Sequence, residues 1–404
     1  MKDVKIEKDE KAKLERNVAI TSLQGVFEGI SMRMYMIIWQ PFVLTFKSSM
    51  SFVGALNVLG GRTGFVSSIS QLLIAPLSDR FGRKPVIAFC QLMSFLGFLT
   101  LAFTFKWYML IPAFILLGLS TSRIPARGAL LAESVKPTRR GIAFSVYMLP
   151  FTAAGVVAPI LVAFIHPLLG YRFLFVLCAL LLLASTVITV YGLRETHLNR
   201  RKTSFLSLVK AILKRSDLRA FFTMGTLDLF GWGVGFSVIY GILSRELGYA
   251  PKELAILSLV QNCVAIFSQI PIGKLVDLYG RKVFLLASEL LATISMLGFA
   301  LFKSLRFLMV FFGFIGLSVA CWFPAAQSWL ADQTGQSERG GIMGVINAMR
   351  SLASLPAPIL GGLLYDVFGY QAPFLVGFAF LCAASLLIVF LLPRSRVSNQ
   401  LRVW

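Results

Sequence analysis

Eight ionisable side chains stand inside stretches otherwise built from apolar residues: the acids Glu28, Asp228 and Glu289 and the bases Arg33, Arg62, Arg123, Arg127 and Arg350. A charge surrounded by hydrocarbon is costly unless it meets a partner or faces a polar cavity, so each of the eight marks a candidate site. Two carboxylates beside a guanidinium can hold and release a proton and attract a cation, and Glu28, Asp228 and Arg123 each fall about ten residues, roughly 15 Å, into an apolar run. Gln24, Glu28 and Met32 share one helical face at a spacing of four residues, whereas Arg33 lies about 140° round the helix from Glu28. Arg123 and Arg127 share a face in the same way. Trp232 follows Asp228 by one turn, where a ligand held by the carboxylate would touch its ring. The five bases outnumber the three acids, which leaves an opposite chemistry open. If Arg33, Arg123 and Arg127 line one cavity, the ligand is an organic anion or a phosphorylated metabolite. Catalysis is not expected: His166 stands only at the very end of an apolar run and His197 outside them, there is no Gly-x-Ser-x-Gly, and the five Cys have no metal-ligand spacing. No cofactor or metal is expected, and a proton is the expected coupling ion.

The elements that position these residues follow from composition. Hydrophobic residues make up 57% of the 404 before the 33 glycines are counted, against about 45–50% with glycine included in soluble domains. Only 14% are charged, too few to cover a water-facing globule, which needs about a quarter. The solvent is lipid. Apolar runs bounded by charges and turns predict six spans near 18–45, 52–75, 85–105, 108–134, 141–166 and 171–192. A further six are predicted near 219–243, 253–275, 282–302, 307–331, 341–365 and 371–393. At about 20 residues per crossing, twelve spans use about 240 residues and leave no room for a sizeable soluble domain. The expected organisation is a tail at 1–17, a six-helix bundle at 18–192, a linker at 193–218, a second six-helix bundle at 219–393 and a tail at 394–404. In the linker, Phe205, Leu208, Val209 and Ile212 share a face opposite Lys210 and Lys214, which predicts an amphipathic helix at the membrane interface.

The net charge of +21 would suggest nucleic acid in a soluble protein. Here its distribution explains it: with both termini and every even-to-odd connection on one side, that side collects 27 Lys and Arg against 7 opposite. By the positive-inside rule the basic side is cytosolic. The expected location is therefore the cell membrane, multi-pass, with both termini in the cytosol, lipid and a small-molecule substrate as partners, no nucleic acid, and a monomer as the working unit. The first sixteen residues alternate Lys with Asp and Glu and contain no apolar core, so the first span is expected to serve as the targeting signal.

The two halves are copies. Asp79-Arg80-Phe81-Gly82-Arg83-Lys84 recurs as Asp277-Leu278-Tyr279-Gly280-Arg281-Lys282, 198 residues later, and Arg140-Gly141 recurs as Arg339-Gly340 at 199. Glu28 answers to Asp228, Arg123 to Trp322, Glu133 to Asp332 and Pro125 to Pro324. Each copy has six spans, so both start on the same side, as parallel repeats. Pro125, Pro324 and the run Gly231-Trp232-Gly233-Val234-Gly235 weaken the helices around the midplane, as rocking between two open states requires.

Ala75-Pro-Leu-Ser-Asp-Arg-Phe-Gly-Arg-Lys84, between spans two and three, resembles the signature loop of the major facilitator superfamily, and Gly273-Lys-Leu-Val-Asp-Leu-Tyr-Gly-Arg-Lys282 resembles its second copy. The resemblance covers all twelve spans and implies an all-α polytopic fold of two pseudo-symmetric six-helix bundles. It also implies that spans one, four, seven and ten line the centre, which would bring Glu28, Asp228, Arg123 and Trp322 together. Arg62, Arg350 and Glu289 fall on other spans, where they are expected to hold helices together. Asp79 is implied to meet the start of span eleven near Gly340, and Asp277 the start of span five near Gly141. Arg83 and Arg281 are implied to pair with Glu133 and Asp332. With Arg80, Gly82, Lys84, Arg140, Gly280, Lys282 and Arg339 these residues form the expected cytosolic gate. Phe114 stands where many proton-coupled members carry Arg, and Gly155-Val-Val-Ala-Pro159 only approximates the antiporter motif in span five.

The leading expectation is proton-coupled efflux of small amphipathic or cationic organic molecules, resembling the drug:proton antiporters of that superfamily. An organic-anion or phosphorylated-metabolite carrier using Arg123 and Arg127 is the alternative, and a non-transporting receptor of the same fold is the third reading. The charge distribution predicts that reporter fusions after Arg194 and after Leu247 report opposite sides of the membrane. The same side for both would overturn the topology.

Overall fold

In a computed structural model of the chain, residues 2–61, 64–135, 140–196, 205–334 and 339–393 are described. Arg62 lies outside them, and the side chains of Asp79, Arg140 and Arg339 lie outside the described side chains. Every regular element among the described residues is helical.

The helices in chain order are α1 (Lys2–Leu44), α2 (Met50–Gly60), α3 (Phe65–Phe81), α4 (Arg83–Ala102), α5 (Leu110–Ser120), α6 (Arg123–Glu133) and α7 (Arg140–Gly192). After the linker follow α8 (Phe205–Lys214), α9 (Ser216–Gly235), α10 (Ile239–Leu247), α11 (Pro251–Tyr279), α12 (Arg281–Leu301), α13 (Leu305–Gln333), α14 (Arg339–Ala353), α15 (Ala357–Phe368) and α16 (Ala372–Leu391). Nine stretches among the described residues are long and apolar enough to cross a membrane. One of them lies in α7, which joins spans five and six across a break at Gly170. Span one is α1, which carries Glu28 and Arg33 within it, and span two is shared by α2 and α3, of 11 and 17 residues. Twelve crossings result. Phe164, Phe267 and Phe390 are 73%, 78% and 76% exposed, a surface that hydrocarbon accepts and water penalises.

Residues 1–48, 56–200 and 249–255 form one compact unit, and residues 49–55, 201–248 and 256–404 the other. Within the first, α4 packs on α5 and on α7, and α1 runs along α7. Within the second, α12 packs on α13 and α16, and α9 along α15 and α16. The packing repeats as the sequence does.

Several spans are broken in the middle, and the breaks have local causes. Between α5 and α6, Pro125 has no N–H to give to the Thr121 carbonyl, and Ile124 N–H bonds Thr121 at 3.0 Å instead of Ser120. The Ser120 carbonyl is thereby released from the helix ladder. α9 ends at Gly235, where Phe236 and Ser237 N–H both turn back to the Trp232 carbonyl at 2.9 and 3.0 Å. In contrast, Pro324 sits inside the continuous α13.

α8 forms where the amphipathic pattern predicts it, but its apolar face has a different partner from the one expected. Ile212 is fully buried and, with Val209, packs into the core of the second unit against residues such as Phe221 and Trp329 rather than lying in lipid. The reason is that α8 lies against α9 and α14, which offer an apolar surface to cover.

The two signature loops turn on glycines with φ of 102° at Gly82 and 92° at Gly280, in a region that side chains with a Cβ avoid. At Gly82 a Cβ would also stand 2.5 Å from a Glu195 carboxylate oxygen. Gly82→Ala should therefore lower stability by about 1–3 kcal/mol, read as a fall in the thermal midpoint of the detergent-purified protein. Gly128→Ala, where a Cβ meets nothing within 4 Å, is the control. Equal midpoints for the two variants would refute the strain.

Candidate functional site

Each unit buries one charged cluster. In the first, Glu28 of α1 is 4% exposed and accepts from both arms of Arg127, Nη2 to Oε1 at 2.6 Å and Nη1 to Oε2 at 2.8 Å. Arg123 Nε adds a third bond to Oε2 at 3.1 Å. Both arginines come from the first turns of α6, one turn apart, as their spacing requires. The break before α6 positions Arg123 further, since its Nη1 donates to the released Ser120 carbonyl at 2.7 Å and to Ser120 Oγ and Ser94 Oγ at 2.9 and 3.1 Å. Gln91 Nε2 and Ser185 Oγ complete the shell around Glu28 Oε1 at 2.6 and 3.1 Å.

Gln24 does not touch Glu28. Its amide donates to Thr189 Oγ1 at 2.6 Å, and Thr189 in turn donates to Gln91 Oε1 at 2.5 Å, so Gln24 supports the acid through two intermediates. Arg33 is half-buried, with its guanidinium 5.6 Å from the Phe151 ring centre, and Arg127 lies 5.8 Å from that of Tyr147. Tyr147 and Phe151 are one turn apart on α7, so the two cations share a face of that helix.

In the second unit, Asp228 of α9 accepts from Arg350 Nη2 of α14 at 3.1 Å, with the two residues 7% and 8% exposed. Gly225, one turn earlier, lets the guanidinium lie close to α9: a Cβ there would meet Arg350 Nε at 2.6 Å. The Glu289 carboxyl of α12 and the Trp232 indole stand within hydrogen-bonding reach of Asp228. Glu289 is 1% exposed, and no donor reaches either of its oxygens. Trp322 lies 5.5 Å beneath the Arg350 guanidinium. Asp228 is thus joined to Arg350 and Glu289, the residues read from sequence as helix anchors. The repeat explains this. Trp322 occupies the position of Arg123, so the second unit draws its cation from α14 instead.

At the signature loops, Arg83 reaches Glu133 Oε1 at 3.2 Å, and Arg281 reaches Asp332 at 3.2 Å and Asp277 at 3.6 Å. Lys282 Nζ donates to the Val389 and Leu392 carbonyls, capping the end of α16 at 2.9 and 2.7 Å. Arg80 is exposed, over the Phe81 ring at 5.5 Å. Two carboxylates that the sequence reading passed over serve as helix caps. Glu195 accepts from Arg83 and Lys84 N–H at the start of α4, at 2.6 and 3.0 Å. Asp366 accepts from Met50 and Ser51 N–H at the start of α2, at 3.0 and 2.8 Å, and from Ser51 Oγ at 2.5 Å. Their signal in the sequence is an acid just past a span's end. Among the described residues, no cluster of His, Cys, Asp and Glu could hold a metal ion.

Two repeated six-span units, each burying a neutralised carboxylate, define a membrane transport fold. The chain belongs to the Major Facilitator Superfamily, whose model matches residues 21–241 and again 221–402. It is similar to the multidrug resistance protein MdtG of Dickeya zeae, 25% identical over 90% of this chain and 91% of that one. It is also similar to multidrug resistance protein 2 of Bacillus subtilis, 27% identical over 84% and 88%. An MFS-type transporter of Methanocaldococcus jannaschii is 25% identical over 94% and 95%. Among solved structures, a D-xylose-proton symporter superposes with a TM-score of 0.74 at 16% identity, covering 95% of this chain and 99% of that one. A bacterial homolog of the human lysosomal transporter Spinster gives 0.75 at 15%, covering 93% and 96%. At these identities the structures share the fold.

The Glu28 cluster makes a stability prediction. Arg127→Gln removes two of the three guanidinium bonds to a buried acid that Arg123 still neutralises, and should destabilise by about 1–3 kcal/mol. Glu28→Gln combined with Arg127→Gln should recover part of that loss, because no buried acid is left short of donors. Denaturation in detergent across the double-mutant cycle measures the coupling, and strictly additive losses would show that the pair is not coupled.

Proposed function

We propose that the chain is a secondary active transporter that works by alternating access and couples export of small amphipathic organic molecules to protons, with the coupling proton held between Asp228 and Glu289. One observation carries this reading, the mismatch between repeat counterparts Gln91 and Glu289, 198 residues apart. In the first unit an amide at this place donates to Glu28, and two guanidiniums surround the acid. In the second an acid stands there beside Asp228, one guanidinium faces both carboxylates, and neither Glu289 oxygen receives a donor. A proton on Glu289 supplies the missing donor, as the amide does in the twin, and leaves Arg350 to balance Asp228 alone. Burying both carboxylates ionised beside a single cation would leave one charge uncompensated.

The coupling role therefore moves from Glu28 with Asp228 to Asp228 with Glu289. The likeness to multidrug resistance proteins of bacteria supports export as the direction and the cell membrane as the location. The 27-to-7 split of basic residues supports cytosolic termini. The pairs Arg83–Glu133 and Arg281–Asp332, with Asp277 beside Arg281, support a gate at the cytosolic face. A monomer contains both clusters, which supports it as the working unit in the lipid bilayer.

Proteoliposomes with an imposed pH gradient, screened against mixed cationic and anionic compounds, test the coupling. Glu289→Gln restores the amide seen at Gln91, so it should fold, lose pH-driven flux at least tenfold and keep downhill exchange. Wild-type pH-driven flux in Glu289→Gln would overturn the assignment.

A further inference from the structure

We infer that Arg123 and Arg127 form a carboxylate-binding clamp that Glu28 occupies between transport events, and that the transported molecule bears a carboxylate; this substrate class rests on the transport reading above. Three features of the first unit carry the inference. The first is the geometry: Glu28 takes two parallel bonds from Arg127 and one from Arg123, the fork arrangement by which guanidinium recognises a free carboxylate. The second is the charge. Among the described residues Arg123 and Arg127 share Glu28 as their acidic partner, and Arg127 Nε has no hydrogen-bond partner. Neutralising Glu28 needs one guanidinium, and burying a second is costly unless an anion uses it. The third is the repeat. The counterparts of Arg123 and Arg127 are Trp322 and Ala326, 199 residues on. The twin meets its acid's need for a cation with Arg350 of α14 alone, so a pair of arginines at these places is more than the fold requires.

Exchange at the clamp conserves charge. Glu28 takes a proton from water, keeps its contacts with Gln91 and Ser185, and releases both guanidiniums. An incoming monocarboxylate then takes the bonds to Arg127 and Arg123. One proton and one monoanion enter together, so the cluster's net charge is unchanged. The groups facing Glu28 are Arg123 and Arg127 of α6, Gln91 and Cys90 of α4, Ser185 of α7 and, through Arg127, Tyr147 of α7. Tyr147 and Phe151, under Arg127 and Arg33, give the apolar part of the molecule an aromatic surface. An aromatic carboxylate matches both halves of the site.

Binding of radiolabelled benzoate to the full-length protein in detergent tests the clamp, with tetraphenylphosphonium and inorganic phosphate as competitors. Benzoate should bind more tightly as the buffer is made mildly acidic. Glu28→Gln should tighten binding at mildly alkaline pH about tenfold, a shift of about 1.4 kcal/mol, and flatten the pH dependence. Glu28→Gln with Arg127→Gln, which leaves no unbalanced acid and so keeps the fold, should lose benzoate binding. Displacement of benzoate by tetraphenylphosphonium or phosphate would overturn the carboxylate assignment. So would an unchanged pH dependence in Glu28→Gln. The two readings fail separately: benzoate binding by a protein that moves nothing down a proton gradient contradicts the coupling reading and supports the clamp.

Discussion

The structure depends on one constraint: a carboxylate placed among hydrocarbon must be neutralised by groups that the fold can bring to it, because lipid supplies none. Glu28 shows how many elements this recruits. Its partners come from α4, α6 and α7, and one of them, Arg123, is held in place by a carbonyl that a proline released. The helix break before Pro125 is therefore part of the charge site. A straight span would have kept Ser120 in its own ladder and left Arg123 with fewer acceptors.

The two units apply the constraint with different resources. They share packing, positive-φ glycines in the signature loops and an acid at corresponding places in spans one and seven. They differ in what surrounds that acid. The first surrounds it with an excess of guanidinium and an amide. The second gives it one guanidinium and a second acid. A duplicated scaffold thus holds two clusters of opposite electrical bias, one short of anions and one short of cations or protons.

Much of this was legible in the sequence. Span positions follow from hydropathy, the duplication from the 198- and 199-residue offsets, and the importance of Glu28 and Asp228 from the cost of charge in lipid. Arg83 with Glu133 and Arg281 with Asp332 follow from the signature loops. The partners of Asp228 did not follow, because helical spacing places residues on a face without saying which neighbouring helix that face meets. Glu289 and Arg350 lie on α12 and α14, and only the packing around α9 brings them to Asp228. The Gln91-to-Glu289 exchange was nonetheless readable at the same offset as the signature loops. Comparing counterparts for charge, as well as for identity, would have found it. α8 went the other way: its amphipathic pattern was plain, but a pattern alone does not distinguish lipid from a protein core.

Depth decides which kind of neutralisation a carboxylate receives. Within the spans, backbone N–H groups are already committed to helical hydrogen bonds, so Glu28 and Asp228 depend on guanidinium side chains. At the ends of spans, helix starts offer free N–H groups and a favourable dipole. Glu195 uses two such groups at the start of α4 and Asp366 two at the start of α2. These terminal caps need no buried cation and can form or break without stranding a charge in hydrocarbon, since water lies nearby to replace the lost bonds. The clusters at mid-span lack that freedom. A motion that opens them strands a charge in hydrocarbon unless another group takes the place of the partner that leaves.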